Sequence, residues 1–281
     1  MEKQKRVAAI HDISCLGKCS LTVALPIISA AGIETAVIPT AVLSTHTGGF
    51  EGYTLLDLTD EMPKIMRHWE RLNLKFDAVY SGYLGSKSQV DLVCGFLDTF
   101  HKGNTLAIVD PAMADDGKMY AHLDMEFAAE MKKLCSKADI IVPNVTEACF
   151  LLGQEYIPLG YSSDYIADML HKLSDLGPQK IVLTGVRMDD KTVSSVSYDR
   201  QSGIIRHVCR EKQDGMFHGT GDVFASALTA ALLRDKNLFE ATEIAVDFTV
   251  GSIKRTIASG AERYGVDFER GMGDLINALE K

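Results

Sequence analysis

Short apolar runs alternate with longer amphipathic stretches over most of this chain, and this alternation limits its fold more than any other feature of the sequence. The short runs predict strands and the amphipathic stretches predict helices. A repeated order of strand, helix and strand favours parallel strands, so the pattern predicts an α/β fold with a mainly parallel central sheet and helices on both faces. The strands predicted for this parallel part are residues 7–10, 35–42, 78–81, 106–109, 139–142 and 180–183.

Two further β-rich runs, residues 192–198 and 203–209, are joined by a polar turn and predict an antiparallel hairpin at one edge of the sheet. The sequence contains no internal repeat, low-complexity tract or linker, which predicts a single domain over residues 1–281. The predicted helices are residues 21–31, 57–72, 88–101, 125–136, a short one ending near 153, 165–174, 223–233, 238–258 and 267–279.

Charge and composition argue against several classes of partner. The chain has 29 basic and 38 acidic residues, a net charge of −9, which argues against nucleic acid or an anionic membrane as a partner. There is no signal-peptide pattern and no run of ~18 apolar residues that could cross a membrane, so we expect a cytoplasmic protein. The six cysteines form no CxxC pair and are expected to be reduced and mostly buried, with Cys15 and Cys19, beside a predicted ligand loop, as candidates for reactivity.

A glycine-bearing loop, Gly219-Thr220-Gly221-Asp222, leads directly into an Ala/Leu-rich run that predicts a buried helix. Glycines let a backbone approach a ligand closely, and the free N–H groups at a helix N-terminus attract phosphate. Asp222 then has two interpretations. It is either an N-terminal helix residue that satisfies an amide or the helix dipole, or a general base beside amides that stabilise a transferring phosphoryl group.

A second set of polar residues follows the predicted strands, where an open α/β sheet binds its ligands. Asp110, Asn144 and Glu147 would place oxygen atoms on the same rim as Asp222, and so sparse a set suits a nucleotide-bound Mg²⁺ that keeps several waters. Asn144 and Glu147 also have the spacing of a helix capping box, which is the structural alternative. Thr184, at the end of a strand, either approaches a nucleotide phosphate or satisfies a backbone group.

The Gly219–Asp222 motif before a hydrophobic helix resembles the signature of the ribokinase-like kinases, which have a three-layer fold. The resemblance implies that Asp222 is the catalytic base and that the amides of Gly219, Thr220 and Gly221 form the anion hole. Residues 143–147 resemble the Asn-x-x-Glu motif of the same kinases. By that resemblance Glu147 and Asp110 act on Mg²⁺ through water, and the residues that meet ATP are Asp110, Asn144, Thr184, Gly219 and Gly221.

Three further motifs resemble those of the pyridoxal kinases: residues 44–48, residues 81–86, and Asp110-Pro111 followed by Met119-Tyr120. The resemblance implies that Thr47 and Tyr83 meet a pyridine ring or its substituents and that Tyr120 shields the site. An aromatic face with a few hydrogen-bonding groups suits such a ring. Residues 11–17 depart from the pyridoxal kinase pattern and have some likeness to the hydroxymethylpyrimidine kinases, so Asp12 and Ser14 are candidate ring contacts that could equally stabilise the turn.

Taken together, these resemblances imply a homodimeric kinase that uses ATP and Mg²⁺, with a monovalent cation left open, to phosphorylate the 5′-hydroxymethyl group of pyridoxal, pyridoxine or pyridoxamine. The nearest alternative is a hydroxymethylpyrimidine kinase or an enzyme that accepts both rings. An alternative of another class is a catalytically silent protein that binds a nucleotide or a B6 vitamer. Such a protein would be expected to lack the base or the metal-organising carboxylate, and both Asp222 and Glu147 are present.

Overall fold

The computed structural model describes residues 3–260 and 264–281, so parts of the domain predicted over 1–281 lie outside the described residues. Its main sheet has nine strands in the order β11-β10-β9-β8-β5-β4-β1-β2-β3. The six strands from β9 to β2 in this order are all parallel to one another. The strands are β1 Arg6–Ser14, β2 Glu34–Leu43, β3 Leu55–Asp57, β4 Ala78–Ser81, β5 Leu106–Val109, β6 Ala114–Asp115, β7 Lys118–Met119, β8 Ile140–Ile141, β9 Lys180–Val186, β10 Thr192–Asp199 and β11 Ile204–Glu211.

Helices cover both faces of this sheet and bury one hydrophobic core on each. One core packs α2 to α6 on the sheet and includes Met62, Phe96 and Phe127. The other packs α1 and α7 to α9 and includes Ile27 and Leu228. The predicted three-layer α/β fold is confirmed. The helices are α1 Leu21–Ala30, α2 Met62–Arg71, α3 Lys87–Phe100, α4 Met125–Ser136, α5 Val145–Leu152, α6 Ser163–Asp175, α7 Thr220–Leu233, α8 Leu238–Ser259 and α9 Met272–Glu280.

The two edges of the sheet are antiparallel. The predicted hairpin is confirmed, because β10 pairs with both β9 and β11. At the other edge the sequence analysis was wrong: Leu55–Asp57 is a strand paired with β2, so the helix predicted from residue 57 begins at Met62. The two-residue strands β6 and β7, which form a separate small hairpin, were not predicted.

The first strand is longer than predicted. Residues 11–14, expected to form a loop, continue β1 to Ser14 and pair with β2 across an irregularity between His11 and Ile13. The polar residues His11, Asp12 and Ser14 are all buried in this extension of the strand. At the other end of the chain, α9 begins at Met272 rather than at residue 267, after a short turn of 3-10 helix.

Within residues 3–260 and 264–281, the structure contains no helix with both the length and the apolar character needed to cross a lipid bilayer.

Candidate active site

The glycine loop lies at the N-terminus of α7, as predicted. Gly219 is the N-cap residue and has a φ of 76°, a left-handed conformation that favours glycine. A Cβ at this position would also overlap the carbonyl oxygen of Lys18. By contrast, among the described residues nothing beyond its own helical turn comes within 4 Å of a Cβ placed on Gly221. The first amides of α7 are therefore fixed against the loop after β1, with room for an anion beside Gly221.

Asp222 lies in the first turn of α7 and is half-buried. Burial raises the pKa of its carboxyl from 3.8 to about 7, against the opposing effect of the Ser20 backbone N–H, and the charge of Asp12 adds to the rise. A general base works best when its pKa lies near the working pH. With a pKa of about 7, the Asp222 carboxyl exchanges its proton near neutral pH.

Asp12 and Ser14, the candidate acceptor contacts, lie on the last residues of β1. The Ser14 hydroxyl donates a hydrogen bond to Asp12 Oδ2 across 3.4 Å. Burial raises the pKa of Asp12, and the hydroxyl of Ser20 opposes this rise. Because Asp12 in turn raises the pKa of Asp222, the structure brings the end of β1 and the start of α7 into one electrostatic site.

Ser20 belongs to this site and was missed by the sequence analysis. It is buried and has a φ of 56°, a backbone strain that non-glycine residues keep only where the surroundings enforce it. A hydrogen bond with its hydroxyl lowers the pKa of Asp12, and a hydrogen bond from its N–H lowers the pKa of Asp222. The sequence signal was a serine directly before an apolar helix, which predicts a helix cap, but the Ser20 side chain forms no cap hydrogen bond with α1.

Asp110 and Glu147 form a second group of carboxylates. Asp110 follows β5 and Glu147 lies in the first turn of α5, and the two are 7% and 3% exposed. Burial raises the pKa of both; the charge of Asp222 adds to the rise at Asp110, and the charge of Asp110 adds to the rise at Glu147. Two buried carboxylates that repel each other are stabilised by a proton or a cation between them.

These carboxylates are the donor type that Mg²⁺ prefers, and Mg²⁺ needs only one or two of them because it keeps several waters. Among the described residues there is no group of three or more His, Cys, Asp or Glu side chains placed to hold a metal without such help. Asp110 and Glu147 therefore fit a metal that other ligands, such as phosphate oxygens and water, also coordinate.

The structural alternative for Asn144 and Glu147 is present as well. Asn144 Oδ1 accepts from the Glu147 N–H at 2.9 Å, and Glu147 Oε2 accepts from the Asn144 N–H at 2.8 Å. Asn144 Nδ2 donates to the Ala114 carbonyl at 2.7 Å. The Thr184 hydroxyl lies 3.4 Å from the Pro143 carbonyl oxygen, to which it donates. The two predicted ATP contacts, Asn144 and Thr184, thus have partners inside the protein and lie beside each other.

The rings of Tyr83 and Tyr120 are neighbours, tilted by 46° with their centroids 6.4 Å apart. Burial raises the pKa of Tyr83 to about 12, with Asp12 as the next contributor. Burial also raises the pKa of Tyr120, and the largest charge effect on it comes from Glu147. The carboxylates at the end of β1 and at the start of α5 therefore both act on this tyrosine pair, and its two flat rings could contact a heteroaromatic ligand.

Thr47 is exposed on the loop that follows β2. The adjacent residue His46 donates its N–H to the Leu16 carbonyl at 3.3 Å. The His46 ring lies 5.2 Å from the ring of His218, which directly precedes Gly219. The loops after β1 and β2 therefore meet each other and the α7 loop, as expected for loops beyond neighbouring strand ends.

The cysteines differ in part from expectation. All six are free, but Cys15 and Cys209 are exposed and only Cys135 and Cys149 are buried. Burial and then the charges of Asp222 and Asp12 raise the pKa of the Cys19 thiol. A raised pKa lowers the reactive thiolate fraction, so the proposed reactivity of Cys19 is not supported by its surroundings.

A sheet covered on both faces, with a carboxylate at the helix that follows its glycine loop, is the arrangement that the resemblance to ribokinase-like kinases predicts. The model of the phosphomethylpyrimidine kinase family matches residues 25–267. The chain belongs to that family, and the predicted relationship to ribokinase-like kinases is confirmed.

Individual relatives agree with this assignment. The chain is similar to a Bacteroides thetaiotaomicron protein provisionally described as a phosphomethylpyrimidine kinase, in a crystal form with pyridoxal, at 37% identity and a TM-score of 0.91 over 99% of this chain and 96% of that one. It is also similar to the pyridoxal kinase of Lactobacillus plantarum, at 28% identity and a TM-score of 0.90 over 99% of both chains. Human pyridoxal kinase is 27% identical, with 94% of this chain and 89% of the human protein covered.

Proposed function

We propose that this kinase transfers the γ-phosphoryl group of ATP to the 5′-hydroxymethyl group of pyridoxal, pyridoxine or pyridoxamine. The observation that carries the chemistry is Asp222, whose pKa is raised to about 7 at the N-terminus of α7. The acceptor is inferred from relatives, among them the Bacteroides protein crystallised with pyridoxal. The tyrosine pair, Tyr83 and Tyr120, supports a flat acceptor rather than a sugar.

In this proposal Asp222 removes the proton of the acceptor hydroxyl, whose oxygen forms a bond to the γ-phosphorus as the bond to the leaving ADP oxygen breaks. The amides of Gly219, Thr220 and Gly221 stabilise charge on the transferring group, and positioning and electrostatics provide most of the rate enhancement. Mg²⁺, when bound, neutralises charge on the phosphates. Asp110 and Glu147 would hold its waters, and Asp110, Asn144 and Thr184 would contact the nucleotide.

The roles of Asp12, Ser14 and Thr47 follow from the same arrangement. Asp12 and Ser14 would contact polar substituents of the acceptor ring from the end of β1, because the Ser14 hydroxyl donates to Asp12 and the charge of Asp12 raises the pKa of Asp222. Thr47 would contact the ring from the loop after β2.

We further propose that residues 1–281 form one domain that acts as a cytoplasmic homodimer. Size-exclusion chromatography with light scattering would test the oligomeric state, and fractionation of cells would test the localisation.

A hydroxymethylpyrimidine kinase, or an enzyme that accepts both rings, is the second candidate, because the family model that matches the chain is that of phosphomethylpyrimidine kinase. A panel of acceptors with saturating ATP separates the two. We expect pyridoxal to have a higher kcat/KM than hydroxymethylpyrimidine and a far higher one than ribose. A higher kcat/KM for hydroxymethylpyrimidine would overturn the B6 assignment and leave the kinase mechanism standing.

A substitution at Tyr83 tests the acceptor site within the same assay. We expect Tyr83→Ala to raise the KM for pyridoxal about tenfold without changing that for ATP, because loss of one aromatic contact costs ~1 kcal/mol or more. Tyr83→Phe keeps the ring and is the control. If Tyr83 only packs the fold, Tyr83→Ala will instead lower the melting temperature and impair the kinetics of both substrates.

A further inference from the structure

The loop after β2 and the anion-hole loop fit together at Gly48 and His218. A Cβ placed on Gly48 would overlap the imidazole ring of His218, and its three nearest atoms would all belong to that ring. The φ of Gly48 is outside the left-handed region, so an alanine would cause no backbone strain there. Glycine at this position is therefore required by the ring of His218 rather than by its own backbone.

A second contact between a glycine and a histidine ring joins the loop after β1 to the loop after β2. A Cβ on Gly17 would overlap the ring of His46. The His46 ring also lies 5.2 Å from the ring of His218, and it makes an edge contact with Phe50 at 4.9 Å. Through these rings, three loops that are distant in sequence are packed into one unit.

His218 also faces a third element. Burial and then the charge of Asp116 raise the pKa of Asp115, and the backbone N–H of Asp116 and, last, His218 oppose the rise. His218 is therefore within electrostatic range of the small β6–β7 hairpin that leads to Tyr120. In the chain, His218 directly precedes Gly219, whose left-handed conformation begins α7. A displacement of His218 would therefore be transmitted to the amides that start this helix.

We propose that His218 is a positioning residue, which holds the acceptor loop at residues 44–50 in register with the anion hole by packing its ring on the backbone at Gly48. This inference rests on the proposed function and extends it to a residue outside the reacting groups. Register matters because a misplacement of ~1 Å between a nucleophile and its reaction partner costs up to ~100-fold in rate. Without the His218 ring, the acceptor would no longer be held in a fixed position relative to the phosphoryl group. Nucleotide binding would be unchanged.

The first test is the kinetics of two His218 variants. We expect His218→Ala to lower kcat/KM for the acceptor by about 30-fold, with both a lower kcat and a higher KM, while the KM for ATP changes less than about twofold. His218→Phe keeps a flat ring on Gly48 and should recover most of the loss. The proposal is overturned if His218→Ala lowers only the melting temperature, or if His218→Phe is as impaired as His218→Ala.

The second test is a double-mutant cycle at the contact. Gly48→Ala should displace the ring and reproduce the loss seen in His218→Ala, but the same substitution in the His218→Ala background should add less than about twofold, because the clash is gone. Gly95→Ala is the control: this exposed glycine in α3 has open space around its Cβ position, and its change should leave the kinetics unaltered. Additive losses at Gly48 and His218 would refute the contact.

Failure of the proposed function gives a different result from failure of this inference. If wild-type protein phosphorylates neither pyridoxal nor hydroxymethylpyrimidine, the proposed function is wrong. The contact between His218 and Gly48 is then tested with the same double-mutant cycle, in which the melting temperature of each variant is measured. Non-additive shifts support the packing of His218 on Gly48, and additive shifts overturn it.

Discussion

Asp222 and Glu147 are both acidic residues in the first turn of a helix at the rim of the sheet, yet the structure holds them differently. Glu147 is 3% exposed, and its two oxygens accept from the N–H groups of Asn144 and Met113 at 2.8 and 3.1 Å. Asp222 is half-buried, and the backbone N–H of Ser20 is the hydrogen-bond donor that lowers its pKa.

The difference indicates different chemistry for the same residue class. A carboxylate whose oxygens are held by two backbone donors is fixed in place, which suits orientation of metal-bound water. A carboxylate with fewer donors and a pKa of about 7 can exchange a proton near neutral pH. Position at a helix start does not distinguish these roles, whereas the surrounding donors and charges do.

The largest effect expected from this contrast is at Asp222. We expect Asp222→Asn to retain the fold and ATP binding but to lose about 100-fold or more in kcat, because the amide cannot accept the hydroxyl proton. Steady-state kinetics and nucleotide binding of the purified variant measure this. Turnover close to that of the wild type would show that Asp222 is only a helix-terminal residue.

The pH dependence of the wild-type enzyme tests the same residue without a mutation. The proton must be absent from Asp222 for it to act as base, so kcat/KM should fall about tenfold per unit below pH ~7 and level off above it. The Glu147→Gln variant should show the same fall in kcat/KM at acid pH. A profile that is flat from about pH 5 to 8 would contradict the raised pKa of the base.

The contrast predicts a smaller and different effect at Glu147. Glu147→Gln should raise the Mg²⁺ concentration for half-maximal activity about tenfold, the size expected when a residue that orients metal ligands is changed. Glu240→Gln is a matched control, because Glu240 completes the capping box of α8 with Asn237 and is not among these carboxylates. Equal stability losses in both variants, with no change in Mg²⁺ requirement, would leave Glu147 with a capping role alone.

The smallest expected effect is on stability. The pKa of Asp222 is raised from 3.8 to about 7 in the folded protein, so the folded state favours the protonated carboxyl. The resulting stabilisation is complete below the unfolded value and is lost as the pH rises through ~7. Asp222→Asn should therefore melt ~3 °C higher than the wild type near pH 8, with a smaller gain near pH 5. Equal or lower melting temperatures near pH 8 would contradict this.

Much of the fold could be predicted because local pattern and tertiary structure agree. The apolar run Leu106–Val109 and the amphipathic run Met125–Ser136 have the predicted bounds. The end of β1 could not be predicted in this way, because His11 and Asp12 are polar residues in a buried strand. Burial lowers the pKa of His11 to about 3, so its ring is neutral there. Only the fold shows that such residues lie beneath the site.

The same limit applies to the site. Gly219 and Asp222 were predictable because their motif is contiguous, and Asn144 and Glu147 because their spacing is short. The positions of Ser20 and His218 depend on loops that meet only in the folded chain. No local pattern distinguishes a serine that caps a helix from one whose backbone faces a carboxylate on another helix.

The contact of Ser20 with Asp222 also bears on how the protein is made. The two residues are roughly 200 positions apart in the sequence, and their helices α1 and α7 pack together. At about 5–20 residues per second, ~10–40 s separate the synthesis of one from that of the other. During that interval the apolar side of α1 has no α7 to cover it, and Asp222 has not yet been made. A nascent chain that ends before α7 therefore lacks both the cover of its first helix and the proposed base.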